Sequence, residues 1–435
     1  MNLSNPPGCR DFFGKDLDIR QHIFNIARQK FTQYGGKELD TPVLEYYSNV
    51  DSLYGDEFSE SVFMVDSADG SDKLFMRYDL TVPFARFVGS NGIKFIKRFQ
   101  IGKVYRKDTP QILKGRYREF YQCDFDIVGD DQGSSIFDIE IISLLNDILS
   151  SLLGNKFTIM INFRQIIFKI IKNAGVPDDK IMDVTIILDK LDKKSWEELL
   201  IEFEKLSISK EIYDRLRVLY NSFKDLDSIT DMYHTLIGLD ILDDSFDKTV
   251  KHVIEYIIEN KFANFRLNPF LARGLHYYTG IIFEAMYNSK EIMDLTIASG
   301  GRYDKMIGKF SNTGDVPAIG LSLGIERLSK IINETYVQRT LQYDVYVATI
   351  GAISVVKRMM VVSKLRMLGN IVAYSHHASP KMREHLDFAL DNNIPYMIII
   401  GENEVKNNLL TLKTLSTKTQ KTVPENDLFE MFKKI

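Results

Sequence analysis

Residues 95–129 read FIKRFQIGKVYRKDTPQILKGRYREFYQCDFDIVG. Two extended runs flank a polar loop carrying Pro110 and Gly115, so the stretch is expected to form a long antiparallel hairpin. In its second run Arg116, Arg118, Phe120, Gln122, Asp124 and Asp126 share one face at a period of two residues. Tyr117, Tyr121, Cys123, Phe125 and Ile127 share the other, where Glu119 is the only charge. One face therefore belongs in a core. The opposite face offers cations, one aromatic ring, an amide and two carboxylates in a row. A charged sheet face is ordinarily just solvated. Three features favour a ligand instead. A lone phenylalanine suits stacking on a flat group. The mixed signs suit a zwitterion plus a phosphate. Arg106, at the loop's entry, suits a bidentate phosphate clamp.

N-terminal to the hairpin, residues 16–34 place Ile19, Ile23, Ile26, Ala27 and Phe31 on one helical face, and Gly35-Gly36 stops the helix. ELDTPVLEYY (38–47) is a short extended piece whose Pro42 suits an edge or an interface. In MRYDLTVPFARF (76–87) a strand runs into Asp79-Leu80-Thr81. That carboxylate and hydroxyl can hold an ammonium group, or the same residues can cap a helix.

C-terminal to it, residues 136–153 read as an amphipathic helix, and 164–262 as a helix-rich, Lys/Glu/Asp-heavy inserted module. RGLHYYTGIIFEA (273–285) predicts a strand from Tyr277 to Phe283, with Tyr277 and Tyr278 on opposite faces. A core strand ended by a snorkelling arginine would explain Arg273 equally simply. SGGRYDKMIG (299–308) lets the backbone approach a ligand beside Tyr303. VPAIGLSLGIERLSK (316–330) feeds a glycine-marked strand into a helix from near Gly324, with Arg327 placed for triphosphate oxygens. After Thr340 strands and helices alternate, as in a small α/β unit with buried parallel strands.

Composition narrows the field. At 435 residues the chain is long enough for about three domains. A net charge of −4 shows no global basic bias, so any nucleic-acid surface must be local. Residues 342–435 carry 12 Lys/Arg against 9 Asp/Glu, a sign that suits a polyanion-binding unit. Two cysteines exclude a disulfide framework and a Cys-based zinc site, and the seven histidines lack metal-ligand spacing. No apolar run approaches membrane-spanning length, and the N-terminus has no signal or transit pattern, so a cytoplasmic location is expected. Neither G-x-x-x-x-G-K-[ST] nor G-x-G-x-x-G occurs. ATP, if bound, must lie on an antiparallel sheet.

Together these stretches resemble the class II histidyl-tRNA synthetases of eukaryotic cytosol and archaea. TPVLE, the hairpin and GLSLGIERL resemble the three class II motifs, while RGLHYYTGIIFEA and SGGRYD resemble the two motifs peculiar to the histidine enzymes. The resemblance implies an α+β fold: an antiparallel-sheet catalytic domain (1–163 and 263–335), a helical insertion (164–262) and a C-terminal α/β anticodon-binding domain (340–435). It implies ATP as substrate with accompanying Mg2+, no protein-held metal, L-histidine and tRNA(His) as the other substrates, and a homodimer without membrane attachment. By the same resemblance Arg106 and Arg273 are catalytic and hold the α-phosphate. Asp79, Thr81 and Gln122 hold the α-amino end of histidine, and Leu80, Arg106 and Arg273 also bind histidine. Asp126, Tyr277, Tyr278 and Tyr303 form its side-chain pocket. Phe120 stacks on adenine, with Asp108 and Arg327 also on ATP. The chain departs from the family at His276, where aspartate is usual, at Ser299, and at Lys305-Met306. Non-catalytic relatives exist as well, namely a phosphoribosyltransferase regulatory subunit and a tRNA-sensing kinase module. The first lacks the C-terminal domain, and the second has lost catalytic residues that this chain retains.

Overall fold

The computed structural model describes residues 3–433 except 51–57, 113–114, 193, 225, 227, 243, 275–276, 289–294, 312–313, 335–342, 352, 376 and 378–380. The chain divides into two compact units, Met1–Tyr336 and Val337–Ile435.

The first unit is built on an eight-stranded sheet. Across the sheet its strands are Lys37–Glu38, Ile96–Tyr105, Glu119–Val128, Ala318–Gly324, Thr296–Arg302, Ile281–Tyr287, Phe157–Phe163 and Phe265–Leu267. Only the two outermost pairings are parallel; the rest are antiparallel. The hairpin reading holds: Ile96–Tyr105 pairs with Glu119–Val128 in one unbroken register. Its return arm starts later than the alternation suggested, however. Arg116 instead pairs with Gln111 in an isolated bridge outside the strand.

One face of this sheet carries the main core. Cys123, Phe125 and Ile127 are fully buried there against the helices Lys15–Gln33 and Ile136–Leu153. The first helix buries Ile19, Ile23, Ala27 and Phe31 as its spacing requires, and also Arg20. Ile26 is only half-buried. Residues 164–259 supply six α-helices between the parallel strands Phe157–Phe163 and Phe265–Leu267. A crossover between parallel strands needs a long connection. The apolar faces of these helices, through Leu199, Phe203, Leu216 and Val253, join the core behind the sheet.

The second unit has a five-stranded sheet ordered Val372–Tyr374, Val345–Thr349, Tyr396–Ile400, Leu409–Thr414 and Thr419–Pro424. The first three strands are parallel, as the alternation of strand and helix predicts. An antiparallel hairpin then extends the sheet, which the pattern did not reveal. Its outer strand is almost wholly exposed and polar, so it carries no hydrophobic period to read.

Candidate active site

The polar face of the hairpin is the floor of a cavity of about 600 Å³. Register explains how the floor stays open. Gln122 lies between Gly102 and Gly324, Asp124 between Gln100 and Ser322, and Asp126 between Arg98 and Gly320. A Cβ built on Gly320 would lie 1.9 Å from Asp126 Oδ1. One on Gly102 would lie 2.7 Å from Arg77 Nη2. Glycines beside the functional side chains thus provide the volume the side chains need.

At one end of the cavity Asp126 is 2 % exposed. Tyr303 Oη donates to its Oδ1 at 2.5 Å, and Arg98 Nη2 stands 2.7 Å from its Oδ2. Burial pushes the Asp126 carboxyl up, while Arg98 and the Tyr303 hydroxyl pull it down. In the sequence Arg98 reads as one more basic residue on a strand. It is completely buried, lies over the Phe84 ring at 4.3 Å, and donates to the Leu80 carbonyl at 3.0 Å. Burial likewise holds the phenols of Tyr278 and Tyr303 well above their ordinary range. Both therefore stay protonated donors.

The other end is a cluster of guanidinium groups. Arg106, Arg116, Arg273 and Arg327 all line the cavity with Phe120. Arg106 stands over the Tyr78 ring at 4.2 Å and the Phe120 ring at 5.1 Å, and donates to the Tyr78 carbonyl. Arg327, from the helix Ile325–Asn333, donates to the Thr296 carbonyl at 2.5 Å. Its guanidinium is held down to about 10, first by burial and then by the positive charges of Arg116 and Arg273. Mutual repulsion among fixed cations marks a site built for a polyanion. Arg273 Nη1 is paired with Glu284 at 2.5 Å, and Thr296 also donates to that carboxylate. Glu284, in the middle of the strand Ile281–Tyr287, thus aims the arginine.

Between the two ends, Asp79 Oδ1 accepts from the backbone N–H groups of Thr81 and Val82, so it caps the helix Thr81–Asn91 while lining the cavity. The capping reading of that segment therefore holds. Thr81, Gln122, Asp108 and Tyr277 line the cavity as well. Leu80 does not: its side chain is fully buried, and only its carbonyl enters the network, through Arg98.

The strand expected from Tyr277 begins instead at Ile281. The N–H groups of Tyr277 and Tyr278 both point back to the Gly274 carbonyl, closing a turn around Gly274 at φ 71°. A Cβ there would lie 2.6 Å from the Tyr278 ring. Freed from strand alternation, both tyrosines reach the cavity, with ring centroids 4.3 Å apart. His276 lies outside the described residues.

Arg302, next to Tyr303, donates to Asp138 at 2.9 Å and Asp131 at 2.8 Å. It ties the SGGRYD strand to the loop that follows the hairpin and to the first turn of the helix Ile136–Leu153. Sequence reasoning passed over this role because both acids lie more than 160 residues away in the chain.

Known proteins resemble this chain over its full length. The family model described as histidyl-tRNA synthetase matches residues 8–328, and one described as anticodon binding domain matches residues 344–435. The chain is 34% identical over 450 residues to the cytoplasmic histidine–tRNA ligase of Dictyostelium discoideum, covering 100% of this chain and 91% of that one. It is 34% identical to the histidine–tRNA ligase of Danio rerio, over 99% of this chain and 89% of the relative. The crystal structure of histidyl-tRNA synthetase from Nostoc sp. PCC 7120 superposes with a TM-score of 0.76 at 23% identity, over 100% of this chain and 99% of that one.

Proposed function

Since the chain belongs to the histidyl-tRNA synthetase family, we propose that the cavity on its hairpin is where histidine and ATP meet. The fold is that of a class II aminoacyl-tRNA synthetase, and the activity is histidine–tRNA ligation. ATP is a substrate of such enzymes. A histidine carboxylate oxygen attacks the α-phosphorus, the bond to the β-phosphate oxygen breaks, and pyrophosphate leaves. The 3′-terminal ribose hydroxyl of the tRNA then attacks the activated carbonyl carbon, and AMP departs.

One observation carries the assignment of roles: a single cavity joins a carboxylate–phenol end to a guanidinium end. A neutral imidazole has one donor and one acceptor nitrogen. Asp126 accepts from the first, and the Tyr278 hydroxyl donates to the second. Tyr303 holds Asp126 in place, with Tyr277 completing the wall. Asp79, Thr81 and Gln122 take the α-amino end, and Leu80 contributes only backbone. Arg106 and Arg273 grip the α-phosphate from opposite sides. They offset the repulsion of two approaching anions and stabilise charge that develops in the transition state. Phe120 stacks on adenine, while Arg327 and the loop at Asp108 address the rest of ATP. An analogue lacking the ring nitrogens would leave Asp126 and Tyr278 unpaired, worth discrimination of roughly 10⁴ without editing.

Mg2+ enters with the nucleotide. Among the described residues no cluster of three or more metal-ligating side chains exists. The ion would take most of its ligands from phosphate and water, as Mg2+ commonly does at nucleotide sites.

We assign catalysis to residues 1–163 and 263–335, the helical insertion to 164–262 and anticodon reading to 340–435. We also assign a homodimer. Val43, Leu44 and Tyr46, beside Pro42, are 37%, 45% and 52% exposed on one short segment, which suits burial against a second copy. Light scattering at micromolar concentration should then give about twice the 50.2 kDa chain mass. No helix among the described residues is long and apolar enough to cross a membrane, and the Dictyostelium relative is named cytoplasmic; we assign this chain to the same compartment. The decisive experiment is amino-acid-dependent exchange of pyrophosphate into ATP. Histidine alone among the standard amino acids should drive it, and exchange with none, or equally with another, would overturn the reading.

A further inference from the structure

Asp124 is the floor residue to which neither the family resemblance nor the comparisons give a role. It is 1 % exposed, yet it lines the cavity. Its Oδ1 has no hydrogen-bond partner, and neither does Oε1 of Gln122, the next residue on the same face. Gln122 commits its other end, Nε2, to Ser322 Oγ at 2.8 Å. Two buried acceptors therefore border one cavity with their demand for a donor unmet. Buried polar atoms are seldom left so without a reason.

Charge makes the demand specific. The groups acting on Asp124 are Arg98 from the outgoing hairpin arm, Asp126 from its own strand, Ser322 from the adjoining strand, and Asp79 ahead of the helix Thr81–Asn91. Arg77, Tyr278 and Tyr303 also feel its charge. Of the two guanidiniums, Arg98 stands against Asp126. Arg77 spends its donors on the Thr41 and Lys103 carbonyls. One buried carboxylate is left without a cation of its own. Burial, followed by the neighbouring Asp126 charge among the causes that raise it, pushes its carboxyl up to about 7. A proton can neutralise that carboxylate, and so can a cationic ligand.

We propose that Asp124 is a substrate-binding residue: with Gln122 it accepts hydrogen bonds from the α-ammonium group of histidine, exchanging its own proton for the substrate's charge. The inference rests on the functional reading above and extends its amino-acid site. It makes the α-ammonium, through Asp124, a condition for ionising the floor of the cavity. An amino acid without that cation would leave a buried carboxylate to be neutralised by a proton, at a cost in affinity.

The test is isothermal titration of the full-length protein with L-histidine at pH 7, in buffers of different ionisation enthalpy. A carboxyl titrating at about 7 should release about half a proton per site on binding. Free histidine, largely neutral at its imidazole at that pH, contributes only about a tenth. Asp124→Asn should lower the release to that residual amount. It should also raise the KM for histidine about tenfold or more in pyrophosphate exchange, with the KM for ATP unchanged. Release of only about a tenth of a proton by the unsubstituted protein would overturn the proposal, whether or not the variant folds. So would a folded Asp124→Asn variant with normal histidine KM. Failure of the unsubstituted protein to support histidine-dependent exchange would instead refute the parent reading, so the two failures are distinguishable.

Discussion

Gly320→Ala should damage histidine recognition while leaving the rest of the cavity intact. The added Cβ would start 1.9 Å from Asp126 Oδ1 and 2.7 Å from Asp126 Cγ. Bringing the first of these to about 3 Å demands a retreat of roughly 1 Å by one group or the other. The strand carrying Gly320 cannot supply it easily, because it is paired in register on both sides, with Asp126 on one and Gly301 on the other. The carboxylate must therefore move. Either the 2.5 Å bond from Tyr303 or the 2.7 Å approach of Arg98 is then stretched out of range. A hydrogen bond to a charged group is worth about 1.5–3 kcal/mol, or roughly 10- to 150-fold in binding. We therefore expect the KM for histidine in pyrophosphate exchange to rise by about that factor, with little change in the KM for ATP. Gly238→Ala is the control, since nothing lies within 4 Å of a Cβ placed there; it should match the unsubstituted protein. A Gly320→Ala protein with normal histidine KM and an unchanged melting temperature would refute the argument that Asp126 depends on this glycine.

Arg273→Ala should slow exchange by about 10²-fold or more, as for a lost charge-stabilising donor, and a loss under threefold would remove Arg273 from the phosphate site. Removing residues 338–435 should leave adenylate formation measurable and weaken charging of tRNA(His); unchanged charging would show that anticodon reading lies elsewhere. The stability of the ligand-free protein should also carry the signature of Asp124. Its folded value of about 7 lies above the ordinary 3.8, so the native state binds more protons than the unfolded chain between those limits. Its contribution to stability is therefore lost as pH rises from about 4 to 7. Asp124→Asn should flatten the fall in melting temperature between pH 5 and 8 by calorimetry, and an identical slope in both proteins would exclude the effect.

Local pattern by itself determined much of this protein. Period-two alternation in 116–127 separated a core face from a polar face, and burial of Cys123, Phe125 and Ile127 follows it directly. Helical spacing likewise located the buried stripe of Lys15–Gln33. The family motifs contain nearly every expected site residue that lines the cavity, because those residues fall in short stretches that local pattern can match. Tertiary structure alone decided the rest. The Leu80 side chain packs inward, away from the cavity, and Tyr277 and Tyr278 both line the cavity because the hydrogen bonds to Gly274 override strand alternation. Arg98, Glu284, Arg302 and Gly320 acquired their importance from partners 11 to 194 positions away in the chain. Alternation says which way a side chain points. It cannot say which charge will face it across a sheet, nor how little water will remain between them, and those two quantities set the pKa values and the donors left unpaired.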